Sequence, residues 1–206
     1  MKKILCFGDS NTWGHNPVDM SRLERRWTVF LKEMLPDYEI IEDGVCGRSS
    51  KFDVPDTPYS NGIEVFRERY INNGSNFDLV IVMLGTNDQL NYFDCTAEET
   101  AETLRGFASE YRAKYGEGTE FLFVSPILIC DCALKHPYFS TVYSEKSVKT
   151  SADFAKAISE AAKKENVYFL DAASVAKASG IDGIHMDETE HKKLAVKIAE
   201  KIKEIL

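Results

Sequence analysis

A serine among small polar residues directly follows a short apolar run near the start of the chain, in the segment FGDSNT at residues 7–12. A serine hydroxyl is a weak nucleophile until a neutral imidazole accepts its proton, and the imidazole needs a carboxylate that holds its tautomer. Asp182 and His185 offer both groups, three residues apart near the end of the chain. This spacing lets the carboxylate reach Nδ1 of His185 and leaves Nε2 free to face Ser10.

Two further residues could supply the hydrogen-bond donors that the oxyanion of an acyl-transfer intermediate requires. Gly47 lies in the segment GVCGRSS, and its backbone N–H can come close to a substrate because glycine has no Cβ. Asn87 lies in the segment GTND and can donate through its side-chain amide. The serine, glycine, asparagine and the Asp–His pair together contain every part of an acyl-transfer site.

The other three histidines compete with His185 for the role of general base. His15 is only five residues from Ser10, which is too local for it to face the serine well. His136 lies in a predicted loop and could line the rim of a pocket, whereas His191 lies among charged residues near the end of the chain. The Asp-x-x-His spacing therefore favours His185.

Apolar runs that predict strands alternate with helical patterns along the chain. The run LVIVML at residues 79–84 is apolar without alternation, which is typical of a strand covered on both faces. Thr96 and Glu99 form a capping box that predicts the start of a helix. The predicted strands are Lys3–Phe7, Tyr38–Glu42, Leu79–Leu84, Glu120–Val124 and Val167–Leu170. The predicted helices are Arg26–Leu35, Ile63–Ile71, Thr96–Tyr115, Ser147–Lys164 and Thr189–Leu206.

This repeated strand–helix order predicts an α/β fold with three layers, α/β/α, around a five-stranded parallel sheet in the flavodoxin-like order 2-1-3-4-5. Ligands of such sheets bind beyond the carboxyl ends of the strands. Ser10, Gly47 and Asn87 follow the first three predicted strands, and the Asp–His pair follows the fifth. We therefore expect these residues to meet along one edge of the sheet.

The bulk composition fits one soluble domain over residues 1–206. The net charge is −8 and no basic cluster stands out, so we expect no nucleic-acid partner. No stretch approaches the ~18 apolar residues of a membrane helix, and the first apolar run is too short for a signal peptide. We therefore expect no membrane partner and a cytoplasmic location. The five cysteines lack regular spacing, which predicts free thiols rather than a disulfide framework or a zinc site.

In this order, the blocks FGDSNTWG, GVCGRSS, GTND and DGIHMD resemble the four blocks of the SGNH/GDSL hydrolases, most closely those of the bacterial arylesterase/acyltransferase branch. The resemblance implies that Ser10 is the nucleophile and that Asp182 and His185 complete a catalytic triad. It also implies an oxyanion hole made by Ser10, Gly47 and Asn87. The implied enzyme is a serine esterase that cleaves small-molecule esters with short acyl chains, without a cofactor or a metal. Its acyl-enzyme could also transfer the acyl group to alcohols.

The family's leucine after the nucleophile is Asn11 in this chain, which bears on the shape of the pocket. Side chains that flank the four blocks are candidates for the walls of a small apolar acyl pocket. They are Asn11, Trp13, Phe139, Tyr143, Ile184 and Met186. Relatives in this branch assemble into oligomers, so the resemblance leaves a homo-oligomer open.

Three other functions stay open at this stage. One is a carbohydrate O-acetyl esterase, because the same kind of site removes acetyl groups from sugars elsewhere in the superfamily. A second is a metal-dependent hydrolase with the candidate ligands Asp182, His185, Asp187 and His191. It would leave Ser10 without a role. A third is a non-catalytic ligand-binding module, although the first strand is not followed by a Gly-x-Gly-x-x-Gly phosphate loop.

Overall fold

The computed structural model describes all residues from 1 to 206, and a parallel sheet of five strands lies at its centre. The strands are β1 (Lys2–Gly8), β2 (Tyr38–Gly44), β3 (Leu79–Met83), β4 (Glu120–Val124) and β5 (Tyr168–Leu170). Their order across the sheet is β2-β1-β3-β4-β5, which confirms the predicted flavodoxin-like order.

Eight α-helices connect and cover the strands. They are α1 (Ser10–Trp13), α2 (Trp27–Met34), α3 (Gly62–Phe66), α4 (Ala97–Tyr115), α5 (Phe139–Val142), α6 (Glu145–Ser151), α7 (Phe154–Glu165) and α8 (Glu188–Ile205). A π-helical turn extends α3, and short 3₁₀ turns follow β3, β4 and β5. These extensions are Arg67–Asn72, Asn87–Gln89, Asp131–Lys135 and Ala172–Ser174.

The helix boundaries agree with the sequence where a cap marks them and differ where a side chain competes for the backbone. Thr96 and Glu99 form the predicted capping box at the start of α4. The single helix predicted over 147–164 is wrong, because α6 ends at Ser151 and α7 begins three residues later. The Ser151 hydroxyl donates to the carbonyl of Val148 at 2.6 Å and accepts from the N–H of Ile129 at 3.2 Å. Such local side-chain bonds compete with continuation of a helix.

Both faces of the sheet are covered by helices, which confirms the three-layer arrangement. On one face, apolar side chains of the central strands pack against α3, α4 and α7. On the other face, the alternate residues of the same strands pack against α2 and α8. All residues of β3 are buried, as its unbroken apolar sequence predicts.

The register of the three neighbouring strands β2, β1 and β3 brings their carboxyl ends level. Gly8 at the end of β1 pairs with Gly44 at the end of β2 and with Met83 at the end of β3. The residues that follow these three strands therefore start from the same edge of the sheet. This edge is where the sequence predicts the functional residues to meet.

The cysteines are not all free, which corrects the prediction for Cys130 and Cys132. These two residues form a disulfide, and the turn between them holds their Cα atoms 5.1 Å apart, within the range that a disulfide spans. Cys6, Cys46 and Cys95 are free thiols. No helix of the structure combines the length and the apolar character needed to cross a membrane.

Candidate active site

The nucleophile candidate Ser10 is the first residue of α1, directly after the end of β1. Asp9 caps this helix, and its Oδ1 accepts a hydrogen bond from the backbone N–H of Asn11 at 2.9 Å. Gly8 has no room for a side chain, because a Cβ there would lie 2.1 Å from the hydroxyl of Thr12. The tight passage from strand to helix therefore fixes the position of Ser10, which is 5% exposed.

Ser10, His185 and Asp182 form a continuous hydrogen-bonded chain, although 175 residues separate the serine from the histidine. The Ser10 hydroxyl lies 2.8 Å from Nε2 of His185. Nδ1 of His185 lies 2.6 Å from Oδ2 of Asp182. The structure thus brings together the three residues that the sequence assigns to a triad. With the proton on Nδ1, the lone pair on Nε2 is free to accept the proton of Ser10.

The carboxylate of Asp182 is held by its own loop. Its Oδ1 accepts hydrogen bonds from the backbone N–H groups of Ile184 at 2.9 Å and His185 at 3.0 Å. Burial raises the pKa of Asp182, but the hydrogen bonds and the charge of His185 outweigh burial, so its pKa lies below the ordinary value. Asp182 is therefore ionised at neutral pH and oriented toward the imidazole.

The oxyanion-hole candidates Gly47 and Asn87 line the same cavity as Ser10, and the cavity has a volume of about 250 Å³. Gly47 has a φ of +81°, a conformation that favours glycine, and a Cβ there would lie 2.8 Å from the Thr57 methyl group. The amide of Asn87 donates to the carbonyl of Arg48 at 3.0 Å and accepts from the Tyr143 hydroxyl at 3.4 Å. These two contacts fix which end of the amide carries the donor.

Buried Arg48 ties the loop after β2 to the end of β1. Its guanidinium donates to the carbonyl of Gly8 at 3.1 Å, to the carbonyl of Asp43 at 2.6 Å and to Oδ1 of Asp43 at 2.9 Å. It also lies over the ring of Phe7, 4.1 Å from the centroid. Because this loop carries Gly47, the arginine holds one wall of the cavity against the nucleophile strand.

Half of the predicted pocket residues line the cavity and half do not. Phe139, Tyr143 and Ile184 are among its lining residues. Asn11 and Met186 are buried outside it, and Trp13 packs next to Arg22 instead. Successive residues of a helix are turned by about 100°, so Asn11 cannot face the same side as Ser10. The wall assignment of Asn11, Trp13 and Met186 is therefore corrected.

Sequence reasoning missed several lining residues that come from loops far apart in the chain. They are Pro17, Met20, Cys46, Val54, Thr57, Leu90, Tyr92, Tyr138 and Val142. His136 lines the cavity, as its loop position predicts. His15 also lines it, and its ring stacks on that of His185 with centroids 4.0 Å apart. No periodicity marks such loop residues, because only the folded sheet brings their loops together.

The four ligands considered for a metal-dependent hydrolase do not converge. Asp187 caps α8, and its Oδ1 accepts from the N–H of Glu190 at 3.0 Å. His191 is fully buried, and its Nδ1 accepts from the N–H of Trp27 at 3.4 Å. His15 lies near Asp182 and His185 instead.

This second group offers a metal no free ring nitrogen of His185. Both ring nitrogens of His185 are already engaged, by Asp182 and by Ser10. The arrangement fits proton transfer from Ser10 to His185, with Asp182 orienting the imidazole.

The cavity is nearly free of charge. No lysine or arginine lines it, and Asp182 is the one carboxylate among its lining residues. Burial raises the pKa of Tyr143 well above its usual value, so this residue stays a neutral hydroxyl. Burial, followed by the nearby charge of His185, lowers the pKa of His15 to about 4, which leaves this residue neutral at pH 7. The cavity therefore suits an uncharged ligand.

A family model described as GDSL-like lipase/acylhydrolase matches residues 4–198. The inhibitor-bound aryl esterase of M. smegmatis is 33% identical, with 100% of both chains covered and a TM-score of 0.90. A carbohydrate acetylesterase family member from Sinorhizobium meliloti is 28% identical, over 100% of this chain and 99% of its own, with a TM-score of 0.90. No curated protein matches the chain.

Proposed function

The chain belongs to the GDSL-like lipase/acylhydrolase family, whose members cleave acyl esters, and we propose that it is a serine esterase that acts through an acyl-enzyme on Ser10. The observation that carries this proposal is the hydrogen-bonded chain from Ser10 through His185 to Asp182, with distances of 2.8 Å and 2.6 Å. These three residues line a cavity that could hold a small ester.

In the proposed reaction, His185 accepts the proton of Ser10 through Nε2 while the serine oxygen attacks the ester carbonyl. Asp182 stabilises the imidazolium that forms and keeps its proton on Nδ1. The negative carbonyl oxygen lies among the N–H groups of Ser10 and Gly47 and the amide of Asn87. His185 then returns the proton to the departing alkoxide, which leaves the acyl group on the serine.

The second half of the reaction repeats these steps with water as the nucleophile. His185 removes a proton from the water, which attacks the acyl-enzyme, and the proton returns to Ser10 as the acid leaves. An alcohol in place of water would give transfer of the acyl group to a new ester. The ratio of acid to new ester, measured at increasing alcohol concentration, distinguishes the two outcomes.

We propose short, uncharged acyl groups of two to four carbons as the preferred substrates. Buried Leu90, Tyr143 and Ile184 belong to one apolar cluster and also line the cavity. Because these side chains are packed in place, they limit the length of acyl chain that the cavity can hold. A longer chain would have to displace this packing, which costs free energy. Faster cleavage of a decanoyl than of an acetyl p-nitrophenyl ester would contradict this preference.

Carbohydrate acetates are the second candidate substrate class, and they are favoured by two exposed aromatic side chains that line the cavity. Tyr92 and Tyr138 line the cavity and are 51% and 62% exposed. Exposed aromatic rings offer flat apolar faces on which a sugar ring could stack. A lower KM for acetylated xylose than for ethyl acetate, abolished by Tyr92→Ala or Tyr138→Ala, would favour this class.

Covalent labelling tests the proposed acyl-enzyme most simply. A p-nitrophenyl alkylphosphonate should add one phosphonyl group to the wild-type chain, as measured by intact mass. Peptide mapping should locate it on Ser10, and Ser10→Ala should stay unlabelled. EDTA should leave the labelling rate unchanged. Activity without labelling at Ser10, or activity lost with EDTA, would overturn the proposal.

A further inference from the structure

We propose that Asn11 is a positioning residue that holds the His185 loop in register with the nucleophile helix throughout the catalytic cycle. This inference rests on the proposed roles of Ser10 and His185 and adds a residue to them. The side chain of Asn11 is 1% exposed and lies outside the cavity.

Two hydrogen bonds join the Asn11 side chain to the loop. Its Nδ2 donates to the carbonyl of Ile184 at 3.2 Å, and its Oδ1 accepts from the N–H of Met186 at 3.0 Å. Ile184 and Met186 are the neighbours of His185 on either side. One amide therefore clamps the short backbone segment that carries the imidazole.

The clamp complements the contacts that the loop makes elsewhere. Asp182 fixes the N–H groups of Ile184 and His185 from within the loop. The only other hydrogen bond between α1 and this loop is the one from the Ser10 hydroxyl to His185. Asn11 therefore provides the link from the nucleophile helix to the loop that does not involve a reacting atom.

This distinction matters once the serine is acylated. Ser10 Oγ then carries the acyl group and has no proton to donate, so its hydrogen bond to Nε2 of His185 is lost. The imidazole must nevertheless stay in place to activate the incoming water. The two bonds of Asn11 are unchanged by acylation, so they keep His185 at its distance from Ser10 during deacylation.

An asparagine suits this place because it offers one donor and one acceptor to a carbonyl and an N–H of the same segment. Leucine has a similar size and can do neither, so Asn11→Leu leaves both buried backbone groups without their partner. Asn11→Asp keeps the acceptor for Met186 but has no donor for Ile184 when ionised.

The neighbouring Thr12 provides a matched control on the same helix. It is fully buried, and its hydroxyl has no hydrogen-bond partner. Thr12→Val keeps the branched shape of the side chain and replaces that hydroxyl with a methyl group. We expect this variant to keep the wild-type kcat.

The test measures kcat and KM for p-nitrophenyl acetate and the NMR signal of the Nδ1 proton of His185, assigned by its loss in His185→Gln. Asn11→Leu should lower kcat by about 10-fold or more, a loss equivalent to about 1.4 kcal/mol, with KM within a factor of two. The Nδ1 proton signal should broaden through exchange with water. If Asn11→Leu does not fold, Asn11→Asp should lower kcat in the same direction.

Wild-type kcat and an unchanged proton signal in a folded Asn11 variant would overturn the positioning role. A purely structural role would lower the melting temperature and leave both readouts of the folded protein unchanged, which also overturns it. Failure of the proposed function gives a different result. The phosphonate would then not label Ser10 of the wild type, whereas the effect of Asn11 on the His185 proton signal would remain measurable.

Discussion

The imidazole of His15 lies against the imidazole of His185, with ring centroids 4.0 Å apart and ring planes inclined by 28°. His15 is half-buried, and its lowered pKa of about 4 leaves the ring neutral at pH 7. A neutral aromatic face is therefore in contact with the group that becomes positively charged when Ser10 is deprotonated. The contact both shields His185 from water and limits the movement of its ring.

Replacement of His15 separates the effect of stacking from that of the histidine chemistry. His15→Phe keeps an aromatic face and should keep kcat/KM within a few-fold of the wild type. His15→Ala should lose several-fold, because a stacked aromatic pair contributes about 0.5–1.5 kcal/mol. The measurement is kcat/KM for p-nitrophenyl acetate between pH 6 and 9. Equal losses in both variants would mean that the stack has no role of its own.

The sheet order and the triad could be predicted from the sequence because both depend on local patterns. Unbroken apolar runs marked the strands, and the rule that ligands bind at the carboxyl ends of parallel strands selected one edge. Ser10 lies in the block FGDSNTWG after the first strand and His185 in the block DGIHMD after the fifth, so the predicted topology brings them to the same edge of the sheet. Their separation of 2.8 Å agrees with that reasoning.

The walls of the cavity could not be predicted in the same way. The sequence predicts Asn11 in the pocket because it follows Ser10, but α1 begins at the serine and turns Asn11 toward the loop of His185. The short spacing between Ser10 and His15 predicts that His15 does not face the serine. It reaches the site because Gly14 ends α1 in a left-handed conformation with a φ of 90° and reverses the chain. The backbone conformation of single residues therefore determines where the side chains of Asn11 and His15 lie.

Removal of the amide of Asn87 should reduce catalysis without weakening substrate binding. Asn87→Ala should lower kcat by about 10²–10³-fold, the cost of losing one oxyanion donor, because the amide acts on charge that develops only in the transition state. KM should change little. Tyr143→Phe is the matched control. It removes only the hydroxyl that donates to Oδ1 of Asn87 at 3.4 Å, and it should cost less than about 10-fold.

The two variants are compared by steady-state kinetics on the same short-chain ester, after circular dichroism has established that both are folded. A wild-type kcat for Asn87→Ala would remove this side chain from the proposed oxyanion hole. An equal loss in both variants would place the effect in the orientation of the amide rather than in its donor.

Asp9 should make the stability of the protein depend on pH in a specific direction. Burial raises the pKa of Asp9 from 3.8 to about 6, although the N–H of Asn11 and the charge of His185 oppose the rise. The folded state therefore binds this proton more tightly than the unfolded state. The stabilisation is complete below pH 4 and is lost as the pH rises through 6.

Asp9→Asn keeps an oxygen that can cap α1, but its side chain cannot ionise. The stability of this variant should therefore not fall as the pH rises through 6. Relative to wild type, the free energy of unfolding of the variant should increase between pH 4 and pH 7 by up to about 3 kcal/mol, the equivalent of two pKa units. Urea unfolding at both pH values measures this change. A difference between variant and wild type that is independent of pH would contradict the raised pKa.

An acyl-enzyme on Ser10 is tested most directly by the rate of p-nitrophenyl acetate hydrolysis by Ser10→Ala, with Thr12→Val as a buried control on the same helix. Ser10→Ala should lower kcat by about 10⁴-fold or more after subtraction of the spontaneous rate, because no attacking oxygen remains beside His185. Thr12→Val should hydrolyse the ester as fast as the wild type. Equal rates for Ser10→Ala and the wild type would contradict an acyl-enzyme on Ser10.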